Sequence, residues 1–463
     1  MKRKLLAVAC FMLLFVAGIQ AANFSVKSPD GRLFLVFSQE KNTLSYSLLK
    51  AGEAIVASSL IGVSIDGITY PNAASDMKMG KTVTVDQVLR PEIRLKCEQF
   101  RDYYNEVVFD FGRSVKLRAR AYNDGVAFRW ETNMTSKEIH IDNESFIIDM
   151  ADKSLKGWMP KPAVDGDAYF SHQECMYVYQ DMTKSKDIFC APLLLELKNG
   201  LLLLSTDVNT NQFPGMWLKG DNGRFTSNFP AYPKTVELKG NRSMVVKERE
   251  SYIAKTPGKH QMPWRVLMVT DGKGLLESNT LYSLAEPNRI GDTSWIKPGK
   301  VSWDWWNRFT ISNIPFEPGI NQATYKHNID FAAENGLPYI LLDEGWSHSK
   351  PEHFLEVVPS LNIPELSAYA QSKGVKLILW STSTSLEMNF DKSFEAFTRW
   401  GIAGIKVDFM QRDDQVMNEF CYRVAEEAAK LKWLVDASSK NKITMANGGG
   451  FAAIIRLQGS SVN

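Results

Sequence analysis

The first half of the chain alternates apolar and polar residues in short runs, a pattern typical of β-strands. Residues 24–37 contain two such runs on either side of the turn sequence Pro29-Asp30-Gly31. Further runs lie at residues 44–49, 107–111, 115–122 and 126–130. Short strands at spacings of about ten residues predict a sandwich of two packed sheets, which we place at residues 23–280.

The pattern changes after a connector that we interpret as a linker over residues 281–300. Apolar runs now alternate with longer segments whose apolar residues recur every three or four positions, as in amphipathic helices. Strands are predicted at residues 301–306, 338–342, 376–380, 402–408 and 432–436, and helices at residues 322–335, 363–373, 394–400 and 412–430. This alternation predicts a parallel sheet. Aromatic and acidic residues at the strand ends favour a (β/α)8 TIM barrel over an open sheet.

The alternation stops near residue 436. Residues 437–463 offer no further series of helices and strands, and they contain three consecutive glycines at 448–450. Five strands do not close an eight-stranded barrel. The sequence therefore predicts a multidomain α and β protein, with a β-sandwich, an incomplete (β/α)8 barrel over residues 301–436, and an aberrant or truncated tail.

The N-terminus has the features of a signal peptide. Lys2-Arg3-Lys4 precede an apolar run at residues 5–19, and the small residues Ala21 and Ala22 follow. We expect cleavage after Ala21 or Ala22, which makes residues 1–22 the signal peptide and the mature chain periplasmic or secreted, with no membrane partner. The net charge of +2, from 54 basic and 52 acidic residues, gives no indication of a nucleic-acid partner.

Polar and aromatic side chains stand where three predicted strands stop. They are Trp303 and Asp304 on the first strand, Asp343 and Glu344 on the second, and Lys406 and Asp408 on the fourth. In (β/α) barrels this end of the strands carries the chemistry. Lys406 and Asp408 alternate along their strand and so point to the same side, where the cation favours the ionised carboxylate that a nucleophile needs.

Carboxylates that converge on one barrel mouth fit glycoside hydrolysis. The alternative is structural: Lys406 and Asp408 form a buried ion pair, and Asp304 and Asp343 bind only the backbone of nearby loops. Signatures of serine or cysteine nucleophiles and Gly-rich phosphate loops are absent from the sequence. No pair of histidines has the spacing of a transition-metal site.

Five stretches of the sequence resemble glycoside hydrolase family 97, exported enzymes of Bacteroides-type bacteria that cleave α-linked sugars. They lie at residues 121–129, 263–266, 292–300, 340–346 and 406–410. The resemblance runs from about residue 24 to residue 436. It implies an N-terminal β-super-sandwich, a (β/α)8 barrel and a small C-terminal β-domain.

The resemblance also implies a mechanism. Retaining α-galactosidases of the family carry an aspartate nucleophile at the end of barrel strand four, where the inverting α-glucosidases lack a carboxylate. Asp408 matches the retaining branch, which implies an exo-acting enzyme that releases galactose from an α-galactoside or oligosaccharide through a covalent β-galactosyl-enzyme. By the same resemblance, Lys406 holds a sugar hydroxyl, and Glu344, Asp343 and Trp303 line the −1 subsite.

A calcium ion, held by glutamates of both domains, is a further implication of the resemblance. Calcium takes oxygen ligands, and Glu174 is the candidate from the sandwich; its alternative is an exposed strand glutamate. The family's acid/base glutamate and most of its calcium ligands follow a Phe-His-Gly sequence after strand five, where this chain has Ala437-Ser438-Ser439. No residue is assigned those roles. Because this region is missing, one alternative is a catalytically impaired sugar-binding protein. The other is an α-glucosidase of the same family, against which Asp408 argues.

Overall fold

A computed structural model describes residues 22–72, 75, 77–93, 96–112, 114–160, 168–171, 176–306 and 308–437. The expected signal peptide up to residue 21, Glu174 and residues 438–463 of the expected tail lie outside these ranges. Among the described residues, no helix is both long and apolar enough to span a bilayer.

The first half consists of strands followed by two short helices. These elements are β1 (Ala22–Lys27), β2 (Leu33–Glu40), β3 (Thr43–Lys50), β4 (Glu53–Ile65), β5 (Ile68–Tyr70), β6 (Lys78–Met79), β7 (Val83–Leu89), β8 (Phe100–Asp110), β9 (Val115–Tyr122), β10 (Gly125–Asn133), β11 (Ile139–Asp149), β12 (Lys156–Pro160), β13 (Tyr177–Asp181), β14 (Ile188–Cys190), β15 (Leu193–Glu196), β16 (Leu202–Val208), β17 (Trp217–Asp221), β18 (Arg224–Asn228), β19 (Pro233–Lys239), β20 (Ser243–Arg249), β21 (Ala254–Thr256), β22 (Lys259–Gln261), β23 (Trp264–Thr270), α1 (Gly272–Glu277) and α2 (Thr280–Ser283).

These strands form two large antiparallel sheets. One sheet has the order β1-β2-β3-β4-β11-β18-β17-β14, with β5 beside β4 and β21 beside β11. The other has the order β13-β12-β15-β16-β23-β10-β9-β8-β6, with β22 beside β10 and β7 beside β8. Strands β19 and β20 pair only with each other among the described residues and form a separate hairpin.

Aromatic side chains from the two sheets meet in a common core. Phe37 on β2 approaches Phe109 on β8, with ring centroids 5.0 Å apart, and Tyr46 on β3 approaches Phe128 on β10 at 5.2 Å. All four side chains are buried. Along β2, buried residues alternate with more exposed ones, which is the period expected of a strand with one face in a core. The predicted β-sandwich is therefore confirmed.

The second half alternates strands and helices, as the sequence predicts. Its elements are β24 (Val301–Trp303), α3 (Gln322–Glu334), β25 (Tyr339–Leu342), α4 (Ile363–Ser372), β26 (Lys376–Thr382), α5 (Ser383–Met388), α6 (Phe390–Arg399), β27 (Gly404–Asp408), α7 (Gln415–Lys430) and β28 (Leu434–Ala437), with 3-10 turns at Asp304–Trp306 and Pro351–His353; a further 3-10 turn, Lys198–Gly200, lies in the sandwich.

The five strands β24 to β28 form one parallel sheet in sequential order. Helices connect successive strands, and the carboxyl ends of all five strands consequently lie along one edge. Within the described residues, β24 and β28 do not pair with each other. The parallel (β/α) architecture is thus present, whereas closure into an eight-stranded barrel stays a prediction.

The structure differs from the prediction at residues 301–306, where the strand stops at Trp303 and a 3-10 turn follows. The buried Asp304 carboxylate accepts hydrogen bonds from the Tyr325 hydroxyl at 2.7 Å and from the Asp343 backbone N–H at 3.3 Å. These bonds hold Asp304 inward, and the following Trp305 and Trp306 project outward with 63% and 69% of their surfaces exposed.

Candidate active site at the carboxyl ends of the parallel strands

The predicted site residues gather at the edge of the parallel sheet where the strands end. Trp303 is the last residue of β24, Asp343 directly follows β25, and Asp408 is the last residue of β27. In the strand register, Trp303 lies opposite Leu341, and Thr382 lies opposite Asp408, so these ends are level with one another. Parallel pairing thus brings together side chains that are far apart in sequence.

Lys406 is at the centre of the cluster. Its Nζ lies 2.7 Å from Asp343 Oδ2 and 3.7 Å from Asp408 Oδ2, and it stands 4.3 Å above the ring of Trp303. Trp303 Nε1 donates to the same Asp343 oxygen at 2.6 Å. The side chains of Lys406 and Asp343 are 4% and 8% exposed. Asp343 is therefore the closer partner of Lys406, and Asp408 is a second, more distant carboxylate beside the same ammonium group.

Both carboxylate oxygens of Asp408 are held in place. Oδ1 accepts a hydrogen bond from the Phe409 backbone N–H at 2.8 Å, and Oδ2 accepts one from Trp380 Nε1 at 3.1 Å. Phe409 has φ of 58°, in the left-handed region, and its carbonyl accepts from Ser383 Oγ at 3.0 Å. The Asp408 side chain keeps 25% of its surface exposed. The carboxylate is therefore oriented and accessible, as an attacking group must be.

Asp304 lies behind this cluster rather than in it. Its carboxylate is buried and accepts hydrogen bonds from Tyr325 and from the Asp343 backbone. Burial raises the pKa of Asp304 to about 6, and the negative charge of Asp343 adds to this effect while the Tyr325 hydroxyl opposes it. The arrangement fixes the start of the loop that carries Asp343.

Glu344 is next to Asp343 and is paired with a residue from the sandwich. Arg242 Nη2 donates to Glu344 Oε1 at 2.6 Å, and the two side chains are 40% and 32% exposed. Burial raises the pKa of Glu344 above its usual range; the Arg242 guanidinium opposes this shift, and the carboxylates of Asp343 and Asp408 add to it. The site therefore contains residues of both domains.

The loop that follows Asp408 is also attached to the sandwich. Arg412 forms two hydrogen bonds to Asp414, at 2.8 and 2.9 Å, in a buried pair. Trp217 Nε1 donates to Asp413 Oδ2 at 3.1 Å. The side-chain amide of Gln415 bonds to both the N–H and the carbonyl of Lys255, each at 2.7 Å. These contacts fix the loop on the carboxyl side of Asp408.

The sequence missed two residues of this site. Trp380 is the last residue of the third strand predicted at residues 376–380, and this position is a signal that could have identified it; the observed strand continues to Thr382. Arg242 follows Gly240 and Asn241 in the β19–β20 turn, and nothing in this segment indicates that it reaches the other domain. A hairpin turn is usually exposed on the surface, so its contacts cannot be inferred from local pattern.

The described residues do not assemble a metal site. Within them, no three His, Cys, Asp or Glu side chains lie close enough together to share an ion. Glu174, the predicted calcium ligand, is outside the described residues. Around Asp408, the carboxylates of Asp343 and Glu344 are paired with Lys406 and Arg242, so these two cations compete with a calcium ion at that point.

Comparisons with known proteins agree with the fold. Residues 26–287 match the family model Glycosyl-hydrolase 97 N-terminal, and residues 305–444 match the model Glycoside hydrolase 97. A retaining alpha-galactosidase of Bacteroides thetaiotaomicron is 34% identical over 430 residues, which are 90% of this chain and 64% of that protein. A probable retaining alpha-galactosidase of Streptomyces bingchenggensis is 23% identical over 426 residues, or 89% of this chain and 62% of that protein. The chain thus spans less than two thirds of the length of these two relatives.

Solved structures share the fold, among them a glycoside hydrolase family 97 enzyme and a beta-arabinopyranosidase. A glycoside hydrolase family 97 enzyme from Pseudoalteromonas sp. strain K8, in complex with acarbose, superimposes with a TM-score of 0.75 at 20% identity, over 89% of this chain and 66% of that one. A beta-arabinopyranosidase superimposes with a TM-score of 0.72 at 18% identity, with the same shares of the two chains. Because the two family models together match most of the sequence, and the fold agrees with them, the chain belongs to glycoside hydrolase family 97.

Proposed function

We propose that this protein is an exo-acting, retaining α-galactosidase in which Asp408 is the nucleophile. The observation that carries the proposal is the Asp408 carboxylate, which is held by two N–H donors, lies beside Lys406 and remains one-quarter exposed at the carboxyl edge of the sheet. The similarity to the retaining alpha-galactosidase of Bacteroides thetaiotaomicron supports the choice of substrate.

In the first step, an Asp408 oxygen bonds to the anomeric carbon as the bond from that carbon to the leaving group breaks, which gives a β-galactosyl-enzyme. In the second step, water attacks the same carbon and gives up one proton to the solvent while the bond from that carbon to the Asp408 oxygen breaks; galactose is released with retained configuration and the carboxylate is restored. Trp380 Nε1 and the Phe409 N–H hold the carboxylate during both steps. Lys406, Asp343, Glu344 and Trp303 would line the −1 subsite around the sugar.

The full barrel, the calcium site and the export of the protein also belong to this proposal. The family membership supports an eight-stranded barrel, of which five strands are described here. Calcium would be held by Glu174 together with glutamates that are not assigned, and no step above uses it. A periplasmic or secreted protein would lack residues 1–21 or 1–22, and the intact mass of the protein recovered after export measures this.

Trapping with α-galactosyl fluoride tests the nucleophile. Fluoride leaves with little help from an acid, whereas ordinary galactosides depend on general acid catalysis, which contributes about 10²–10⁴-fold. We expect the wild-type chain to gain the mass of one galactosyl group at residue 408 after an acid quench. Asp408→Asn is expected to gain none, and Asp391→Asn, at an exposed position on α6, serves as the matched control.

Azide provides a second readout. In Asp408→Gly, azide fits into the space of the missing carboxylate and displaces fluoride from the anomeric carbon, so β-galactosyl azide should form. If the wild type forms no adduct, or if Asp408→Asn forms it equally well, Asp408 is not the nucleophile. A chain that binds galactose but releases no fluoride would instead be the sugar-binding protein, and a preference for α-glucosyl fluoride would make it an α-glucosidase.

A further inference from the structure

A turn of the sandwich reaches into the candidate active site. The turn between β19 and β20, residues 240–242, carries Arg242, whose Nη2 lies 2.6 Å from Glu344 Oε1. The guanidinium carbon of Arg242 stands 4.9 Å over the ring of Phe409, the residue that follows Asp408. Arg242 therefore forms part of the wall of the site, although it belongs to the other domain.

The position of this turn does not depend on the Arg242 side chain. Neighbouring groups attach it to the segments that follow three successive strands of the parallel sheet, β25, β26 and β27. These bonds run from Asn241 Nδ2 to the Ser349 carbonyl at 3.2 Å, from Thr384 Oγ1 to the Arg242 carbonyl at 2.9 Å, and between Ser243 Oγ and Gln411 Oε1. A substitution of the Arg242 side chain should therefore leave the turn docked.

The chemistry of the pair matches a sugar with adjacent hydroxyl groups. A carboxylate only accepts hydrogen bonds, a guanidinium only donates them, and a hydroxyl does both. The bond to Glu344 uses one of the five N–H donors of Arg242, and both side chains are partly exposed, so donors and an acceptor remain for a ligand. The three carboxylates of Asp343, Glu344 and Asp408 exceed the two cations Lys406 and Arg242, which disfavours an anionic sugar.

We propose that Arg242 is a specificity-determining residue: Arg242 and Glu344 together bind two neighbouring hydroxyls of a neutral sugar, with Arg242 donating and Glu344 accepting. This inference rests on the proposed function, because it places the sugar beside Asp408. It adds that the sandwich supplies a side chain to substrate recognition. The catalytic half alone would then lack part of its binding site.

The test combines Arg242 variants with substrate analogues that lack single hydroxyls. For the full chain, kcat/KM would be measured with α-galactosyl fluoride and its 2-, 3-, 4- and 6-deoxy analogues. We expect Arg242→Gln to lower kcat/KM for the parent fluoride by roughly 10- to 100-fold, mainly through KM, as the loss of a charged hydrogen bond implies. With the analogue that lacks the hydroxyl bound by Arg242, the kcat/KM values of the wild type and of Arg242→Gln should differ little. That analogue therefore identifies the hydroxyl that Arg242 binds.

Two further variants separate recognition from folding. Arg242→Lys keeps the positive charge without the planar guanidinium, so it should lose discrimination among the analogues. The low-pH limb of its plot of kcat/KM against pH, which reports the ionisation of Glu344, should stay where it is in the wild type. Arg242→Gln should move that limb to higher pH, because Arg242 opposes the effects of burial, Asp343 and Asp408 on the pKa of Glu344. Lys247→Gln is the matched control, since Lys247 is an exposed cation on the same hairpin, paired with Glu237.

The proposal is overturned if Arg242→Gln leaves kcat/KM unchanged, or lowers it equally for every deoxy analogue. A wild type that releases no fluoride refutes the proposed function instead. In that case the dissociation constants of galactose and its deoxy forms, from calorimetry, replace kcat/KM in the same comparison. Weaker binding that depends on one hydroxyl supports the role of Arg242, and an absence of galactose binding by the wild type overturns both proposals.

Discussion

Replacing Lys406 by Met removes the cation from the centre of the site and retains a side chain of similar length. The Lys406 side chain is 4% exposed, and its Nζ is 2.7 Å from Asp343 Oδ2 and 3.7 Å from Asp408 Oδ2. Loss of one partner of a buried ion pair destabilises a protein by about 3–5 kcal/mol, because a charge is left buried without compensation. Asp343 keeps its bonds from Trp303 Nε1 and the Glu344 N–H, so we expect the lower value, about 3 kcal/mol.

Equilibrium unfolding in urea, followed by tryptophan fluorescence, measures this loss. Lys376→Met is the control: Lys376 is exposed at the start of β26, and its replacement should change the free energy of unfolding by about 0.5 kcal/mol or less. Adding Asp343→Asn to Lys406→Met removes the uncompensated charge, so the double variant should be more stable than Lys406→Met alone. A loss below about 1 kcal/mol, or a double variant that is less stable, would refute this account of the site.

Two other predictions concern the surroundings of the site. Burial raises the pKa of Asp304 from 3.8 to about 6, so the protonated carboxyl is favoured in the folded protein. Its contribution to the free energy of unfolding is complete below about pH 4 and is lost as the pH rises through about 6. Over that range, the free energy of unfolding of the wild type, measured relative to Asp304→Asn, should fall by roughly 3 kcal/mol. A Cβ on Gly215 would clash with both carboxylate oxygens of Asp413, so Gly215→Ala should lower the free energy of unfolding by about 1–3 kcal/mol. Gly272→Ala, where a Cβ would meet no atom within 4 Å, should not lower it, and thermal unfolding of both variants measures the difference.

The local patterns of the sequence were sufficient to predict most elements of the parallel sheet. The helix predicted at residues 322–335 is observed at Gln322–Glu334, where the Asn321 side chain caps its first turn and Gly336 follows with φ of 65°. The helix predicted at residues 412–430 starts later, at Gln415, because the Asp414 side chain accepts from the Met417 N–H and caps it there. Such signals act between residues a few positions apart, so they are visible in the sequence.

Helix α5, Ser383–Met388, was not predicted, because Ser-Thr-Ser does not form an apolar helical face. Its first residues are buried through tertiary contacts: Ser383 donates to the Phe409 carbonyl, and Thr384 donates to the Arg242 carbonyl. The strand predicted through residue 306 was wrong for the same reason. Partners from distant segments override the local preference for secondary structure.

The sequence by itself determined the two-part organisation, the order of strands and helices, and the presence of Asp408, Lys406, Asp343 and Trp303 at strand ends. It did so because periodicity reports which face of each element is buried, and parallel strands place their carboxyl ends on one edge. Only the tertiary structure decided which charges pair. Lys406 binds Asp343, 63 positions away, more closely than Asp408, and Arg242 meets Glu344 across 102 positions and two domains. Contacts of this kind depend on how completed sheets and loops dock, which no local pattern records.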